Sequence, residues 1–494
     1  MRHLWQFNGL ALILALSLGA GVHARAASGT PDHARWEQAI INIESTRVVY
    51  DSMQPWVKRP RTFLKTGVVI APREILTAAE DLQDRTLVRV QKGGRGQFYE
   101  ADVAWVDYHA NLAILTVKDE AFWKGLKPVP LLHGAPARDD LRVARWLNAN
   151  LEIRRVEFSQ FTVDDARLSP IPALYLEFDS EMTSIGGSAP VISGGKLAGI
   201  TCQQVDNHVR ALTATFIRDV LEARKKGHYR GLGFFPFYWQ PTPNTASHRY
   251  LKLPGEPRGV AVIYVPELPA VEENLKPFDI ILQVDGFDID PQGRYQDPLY
   301  GQQILENLSL RGKFAGDVVR FTVWREGAIR VVNYRMPKFD YHLRMLPDHV
   351  FDQEPEYLIA GGLVMVPLNK PFLRSWGDDW KRRAPFRLVY YDNEFPTPDR
   401  PSLVVMSFVL PDAFNLGYHE LRALAVEKIN GQVVRNLREV KSALRSPQQG
   451  YHVIEFVRSD TVRRLVLDAS QMDAANARIL QRYGIPKAES LSAQ

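Results

Sequence analysis

The sequence predicts a mainly β protein, built from one large β-rich unit and two smaller units that mix strands with helices. Three observations carry this reading. Short apolar or alternating runs recur at close spacing across residues 36–224. The chain has 33 glycines and 32 prolines, many turns' worth of punctuation. A strand that ends in an Asp-Gly or Asn-Gly turn then occurs twice, at Val284-Asp285-Gly286 and Ile429-Asn430-Gly431. A length of 494 residues suits roughly three domains. With 45% hydrophobic and 24% charged residues, the chain can fill several cores, and it is not a disordered chain, a coiled coil or a collagen-like rod. The net charge of +5 is small and its Lys and Arg residues are scattered, so no nucleic-acid partner is expected. Cys202 is the single cysteine, which excludes an intramolecular disulfide framework and a zinc site built on several thiolates. No metal and no cofactor is expected.

Residues 1–24 read as a signal peptide. Arg2 precedes an uncharged apolar run at 9–22, and Val22 and Ala24 are small residues where a signal peptidase reads. The run is shorter than the ~20 residues of a spanning helix, and no second run of that length follows. The expectation is an exported, periplasmic protein without a stable membrane span. The alternative is an uncleaved anchor.

The first unit is placed at 32–226. Gly67-Val68-Val69-Ile70-Ala71 and Leu112-Ala113-Ile114-Leu115-Thr116-Val117 are compact apolar strands, while 87–90 and 101–106 alternate. Residues 191–200 read as a hairpin turning at Gly194-Gly195. A helical pattern at 215–226 puts Phe216, Val220 and Leu221 on one face. Many short strands suggest antiparallel barrels or a sandwich. The second unit, 229–338, opens on Gly231-Leu232-Gly233-Phe234 and holds strands at 279–286 and 318–324. The third, 350–470, repeats the scheme with a helix carrying Leu437, Val440 and Leu444 and a closing strand at 451–456. The tail, 471–494, begins as a helix and is expected to fray after Pro486.

Three stretches of the first unit resemble the trypsin-like protease domain of the HtrA (Do/Deg) family. Thr66-Gly67-Val68-Val69-Ile70-Ala71-Pro72 with Ile75-Leu76-Thr77-Ala78-Ala79-Glu80 is similar to G-x-G-V-I-x-x … I-L-T-N-x-H. Val106-Asp107-Tyr108-His109-Ala110-Asn111-Leu112-Ala113-Ile114-Leu115 is similar to V-D-x-x-x-D-L-A-V-L. Phe178-Asp179 through Ile185-Gly186-Gly187-Ser188-Ala189-Pro190-Val191 is similar to T-D-A-x-x-x-x-G-N-S-G-G-P. The two later units resemble PDZ domains, and the whole is most similar to the plant and bacterial Deg branch. The resemblance implies a trypsin-like double β-barrel followed by two PDZ-type domains, and oligomers, commonly trimers.

The resemblance also implies a degenerate triad. A serine protease needs a hydroxyl nucleophile, an imidazole base and a carboxylate to hold the imidazole. Here the histidine position is Glu80 and the aspartate position is Asn111. The serine position, counted from Asp179 to Pro190, is Gly187, and Ser188 lies one place late. A carboxylate with a pKa near ~4.3 is a poor base for an alkanol. The loop that aims oxyanion donors has also changed, to Ile185-Gly186-Gly187-Ser188-Ala189. No triad position is intact. The alternative is an active serine endopeptidase, rearranged to use Ser188 as nucleophile with Glu80 or His109 as base. His109 otherwise reads as a surface-loop residue, and Cys202 as a buried small hydrophobe.

The PDZ resemblance implies peptide binding. PDZ domains add a peptide as a strand to a sheet edge and present backbone N–H groups to its C-terminal carboxylate. Gly231, Leu232, Gly233 and Phe234 form the expected turn, and Phe235 begins the expected edge strand. In the third unit Ala360-Gly361-Gly362-Leu363-Val364-Met365-Val366 is a weaker counterpart, which reads as packed internally. The function these residues point to is a non-proteolytic protein that binds C-termini or unfolded segments as scaffold, adaptor or chaperone in protein quality control. A third reading is a structural partner of an active homologue in mixed oligomers.

Overall fold

The computed structural model describes residues 31–266, 274–339, 344–458 and 462–492. The segment expected to be a signal peptide lies outside the described residues. Two seven-stranded sheets build the first unit. In the first sheet, Ile40–Tyr50 and Lys58–Ala71 form a long antiparallel hairpin in register from Ile40↔Val68 to Tyr50↔Lys58. Alternation along the strands sends Ile41, Ile43, Val69, Ile75, Val90 and Leu115 into one apolar cluster. The second sheet buries Val143, Leu174, Leu176, Phe178 and Val191 in a cluster of its own. Its hairpin turns at Gly194 and Gly195 with φ of +54° and +67°, conformations that a glycine adopts without strain. A third cluster joins the two sheets. It holds Trp36, Leu76, Leu112, Ile192 and Ile200 together with Phe216, Ile217 and Val220 of the helix Ala214–Lys225. The unit is thus a trypsin-like pair of β-barrels with the helix packed at their joint.

In the second unit the sheet order is Tyr238–Pro241, Val260–Tyr264, Ile280–Val284, Val318–Arg325 and Ala328–Arg335. It closes over Phe237, Ile281, Phe321 and Tyr334. A two-stranded excursion, Arg294–Asp297 and Gly301–Ile304, has no counterpart in the sequence reading. It docks this unit on the second barrel: the Tyr300 ring lies 4.9 Å from Phe161, and Gln303 Nε2 donates to Phe161 O at 3.2 Å.

The third unit is an eight-stranded sheet, running from Arg464–Asp468 at one edge to Glu489–Ser490 at the other. The residues expected to form a separate, fraying tail belong to it. The helix Met472–Arg482 buries Ala475 and Ile479, Ile485 is buried, and Glu489–Ser490 pairs with Tyr357–Ala360. Ser492 N still donates to Glu356 at 2.8 Å. The apolar anchors Ile485 and Leu491 hold a tail whose composition is otherwise polar. The third unit also grips the first. Trp56, at the tip of the long hairpin, lies 5.5 Å from Tyr357 and 6.3 Å from Phe408, and Lys58 pairs with Glu354.

Candidate functional site

The loop after the strand Ser169–Asp179 places Gly187 and Ser188 differently. Gly187 is exposed, and its carbonyl accepts from Thr66 N at 2.9 Å. Ser188 is fully buried, with φ of +65°. Its Oγ accepts from Ala78 N at 2.8 Å and from Thr77 Oγ1 at 3.0 Å, and its own N–H donates to Thr201 O at 2.8 Å. The hydroxyl that could have been a nucleophile therefore ties the loop to the first barrel. The exposed residue at this point, Gly187, has no side chain.

Glu80 and Asn111 are adjacent, but through the main chain: Glu80 N donates to Asn111 Oδ1 at 2.9 Å. The Glu80 carboxylate lies 2.9 Å from Arg167 Nη1. Burial raises its pKa, and Arg167 opposes that rise. Lys65, which the sequence reading did not single out, completes the arrangement. It is buried, and its Nζ donates to Ala78 O at 2.6 Å and to Glu80 O. Burial lowers its pKa to about 8, against the pull of Asp81 and Glu80. A lone lysine at an inward register ahead of Thr66-Gly67-Val68 was the one signal for it.

His109 lies in the turn 108–111, as read, but not fully at the surface. It is half-buried, with Nδ1 3.0 Å from Ser169 Oγ and its ring 4.8 Å from Phe339. Burial lowers its pKa. Neither Glu80 nor His109 is among the hydrogen-bond partners found for Ser188 Oγ. Cys202 is buried, its Sγ lies 3.4 Å from Arg210 O, and burial pushes the thiol up to about 12, which leaves it an inert small hydrophobe.

In the second unit Gly231 takes a φ of +105°, and its carbonyl accepts from Ala315 N at 3.0 Å. Leu232 is buried in the cluster that holds Phe216 and Val220, and Phe234 packs against it, 5.4 Å from Phe339. This side of the loop is therefore covered by the joint of the barrels. Phe235 does not begin the edge strand. Its ring and that of Phe237 meet Phe321 of the sheet core, so the strand starts at Tyr238. Gly233 holds no positive φ, and a Cβ there would lie 2.6 Å from the flexible end of Met336, at Cε, and 3.2 Å from Ser309 O. Tyr238–Pro241 is an outer strand of its sheet. Beside it, Trp239 Nε1 donates to Glu306 at 2.8 Å, and burial raises the Glu306 pKa.

The third unit differs. Leu363–Pro367 is paired on one side with Tyr357–Ala360 and on the other with Val404–Val409. Gly361 N donates to Asn476 Oδ1 at 2.7 Å, and Asn415 Nδ2 donates to Gly361 O at 2.8 Å. The N–H and C=O of Gly361 at the start of this loop are thus both engaged from within the unit.

Residues 346–492 match the PDZ domain family. The chain is 24% identical over 474 residues to "Protease Do-like 2, chloroplastic" of Arabidopsis thaliana, covering 92% of this chain and 75% of the relative. It is 24% identical over 483 residues to "Protease Do-like 4, mitochondrial" of the same plant, covering 92% and 85%. The chain is thus similar to Do-like proteases over nearly all of its length. Among solved structures, this chain is similar to "HtrA-type protease AlgW with decapeptide", at 16% identity and a TM-score of 0.47, over 63% of this chain and 98% of that one. It is also similar to a serine endoprotease from Yersinia pestis, at 17% identity and a TM-score of 0.42, over 63% and 97%.

Proposed function

We propose that this chain is an exported HtrA-family pseudoprotease that captures the C-termini or unfolded segments of other proteins through its first PDZ unit. The observation that carries the reading is the state of the triad positions. Gly187 offers no nucleophile, Ser188 Oγ is buried and engaged by Ala78 and Thr77, and Glu80 is paired with Arg167. Activating Ser188 would need its side chain to leave two hydrogen bonds and turn through a packed loop. The capture side of the proposal rests on the outer strand Tyr238–Pro241 and the adjoining glycine turn. Export rests on the N-terminal segment, for which the expected mature N-terminus lies near Arg25. Among the described residues, no helix is long and apolar enough to cross a membrane.

Incubation with unfolded casein and a fluorophosphonate probe tests the inactive site. The reading expects intact casein and an unlabelled chain. Labelling of Ser188, lost in Ser188→Ala, would establish the rearranged endopeptidase instead. Edman sequencing of the periplasmic fraction tests export, and recovery of the intact chain in salt-washed membranes would favour an uncleaved anchor.

A further inference from the structure

The linker into the third unit lies against the first barrel, at the end where Glu80 and Asn111 sit. Asp352 Oδ1 accepts from Asp84 N at 2.8 Å, and Asp352 Oδ2 accepts from Tyr108 OH at 2.7 Å, with Arg85 Nη1 3.6 Å away. One donor for each carboxylate oxygen, backed by a guanidinium, is a carboxylate cradle. The preceding residue, Phe351, stacks on the Tyr108 ring at 4.3 Å and 25°, and meets the His109 ring edge-on at 6.2 Å.

The cradle belongs to the barrel, not to the linker. Asp84 holds a left-handed φ of +52°, and its carbonyl accepts from Val48 N at 3.0 Å. Arg85 Nη1 donates to Leu82 O at 3.1 Å and lies 3.3 Å from Tyr108 OH. The donors are thus each tied to neighbours within the first barrel. The linker, by contrast, has no regular secondary structure at 347–354, and Val350, Asp352, Gln353 and Glu354 are exposed. Upstream, Asp348 is held by the third unit's own Lys370 at 2.7 Å.

We propose that this is a second recognition site, distinct from both the degenerate triad and the PDZ turn. It binds a peptide segment in which an aromatic residue is followed by aspartate, and Phe351-Asp352 is its resident ligand in cis. A segment of the same chemistry arriving in trans competes with the linker, so its capture unfastens this tie between the third unit and the first barrel.

The test uses the full chain carrying Phe351→Ala and Asp352→Ala, titrated with a labelled octapeptide of the sequence 347–354. The emptied site should bind the peptide saturably. The wild-type chain should bind it at least about tenfold more weakly, because its own linker competes at high effective concentration. Replacing the peptide's phenylalanine by alanine, or its aspartate by asparagine, should weaken binding by about tenfold. Failure of the double variant to bind the peptide, or equal binding by the wild type, overturns the proposal. A second variant guards against a folding defect. Tyr108→Phe, with the linker intact, should raise amide hydrogen exchange at Asp84 and across 348–354 by about tenfold. Unchanged exchange there also overturns it.

Discussion

The second and third units share a strand, an Asx-Gly turn and a closing strand, yet the strand that follows the glycine turn is an outer strand in only one of them. In the second unit Tyr238–Pro241 is an outer strand, and the loop before it is held at its back by Leu232 and Phe234. In the third unit the corresponding strand, Leu363–Pro367, is flanked on both sides, and the N–H of Gly361 is already given to Asn476. A peptide that adds as a strand needs an unpaired edge and unclaimed donors. The comparison teaches that two similar turns can differ in what is packed on them, and on the proposed function that packing decides which of them can take a peptide.

The largest effect expected from this difference is on the third unit. A Cβ at Gly362, where φ is +85°, would lie 2.3 Å from Asn415 Nδ2 and 2.6 Å from Leu410 O. Gly362→Val should destabilise that unit by about 4 kcal/mol or more, seen as loss of its cooperative thermal transition. Gly233→Val in the second unit meets mainly the flexible Met336 side chain and should cost about 1–3 kcal/mol. Adding Met336→Ala should restore part of that stability. Equal losses at the two glycines would show that the two turns are packed alike.

A smaller change sharpens the contrast. Asn476→Ala removes the acceptor from Gly361 N–H and should cost about 1–2 kcal/mol by chemical denaturation. If the variant also began to bind free-carboxylate peptides at the third unit, the donor rather than the strand pairing would be what closes it.

Lys65 gives a pH-dependent test on the first unit. Its pKa in the folded chain is lowered to about 8, below that of an unfolded lysine. The unfolded state therefore binds more protons between about pH 8 and 10, and the fold gains stability as pH rises through that window. Relative to Lys65→Met, the wild type should gain about 2–3 kcal/mol between about pH 7 and pH 10. A flat difference across that range would mean that Lys65 is not desolvated.

Much of the fold was legible in the residues. The turns at Asp285-Gly286 and Asn430-Gly431 both carry positive φ, and the strands and helices read from periodicity fall within a few residues of those found. Local periodicity is set by neighbours in sequence, which is why it could be read. The site was legible only as a list of residue types. Counting put Gly187 at the serine position, but the inward turn of Ser188 depends on Thr77 and Ala78, more than a hundred residues away. The pairing of Arg167 with Glu80, the packing of His109 between Phe339 and Phe351, and the hold of Lys65 on Ala78 are likewise long-range contacts with no local periodicity. The start of the edge strand at Tyr238 instead of Phe235 has the same origin, because two phenylalanines are drawn inward by Phe321.

The central claim is that the chain works by holding peptide carboxylates at the edge of its second unit. The most direct measurement is calorimetric titration of the full chain with a binding peptide selected from a C-terminal library, compared with the same peptide amidated at its C-terminus. The account predicts that amidation weakens binding by about tenfold or more, through loss of the peptide's terminal charge, and that Gly233→Val weakens the free-acid peptide comparably. Equal affinity for the acid and the amide, unaffected by Gly233→Val, would contradict it.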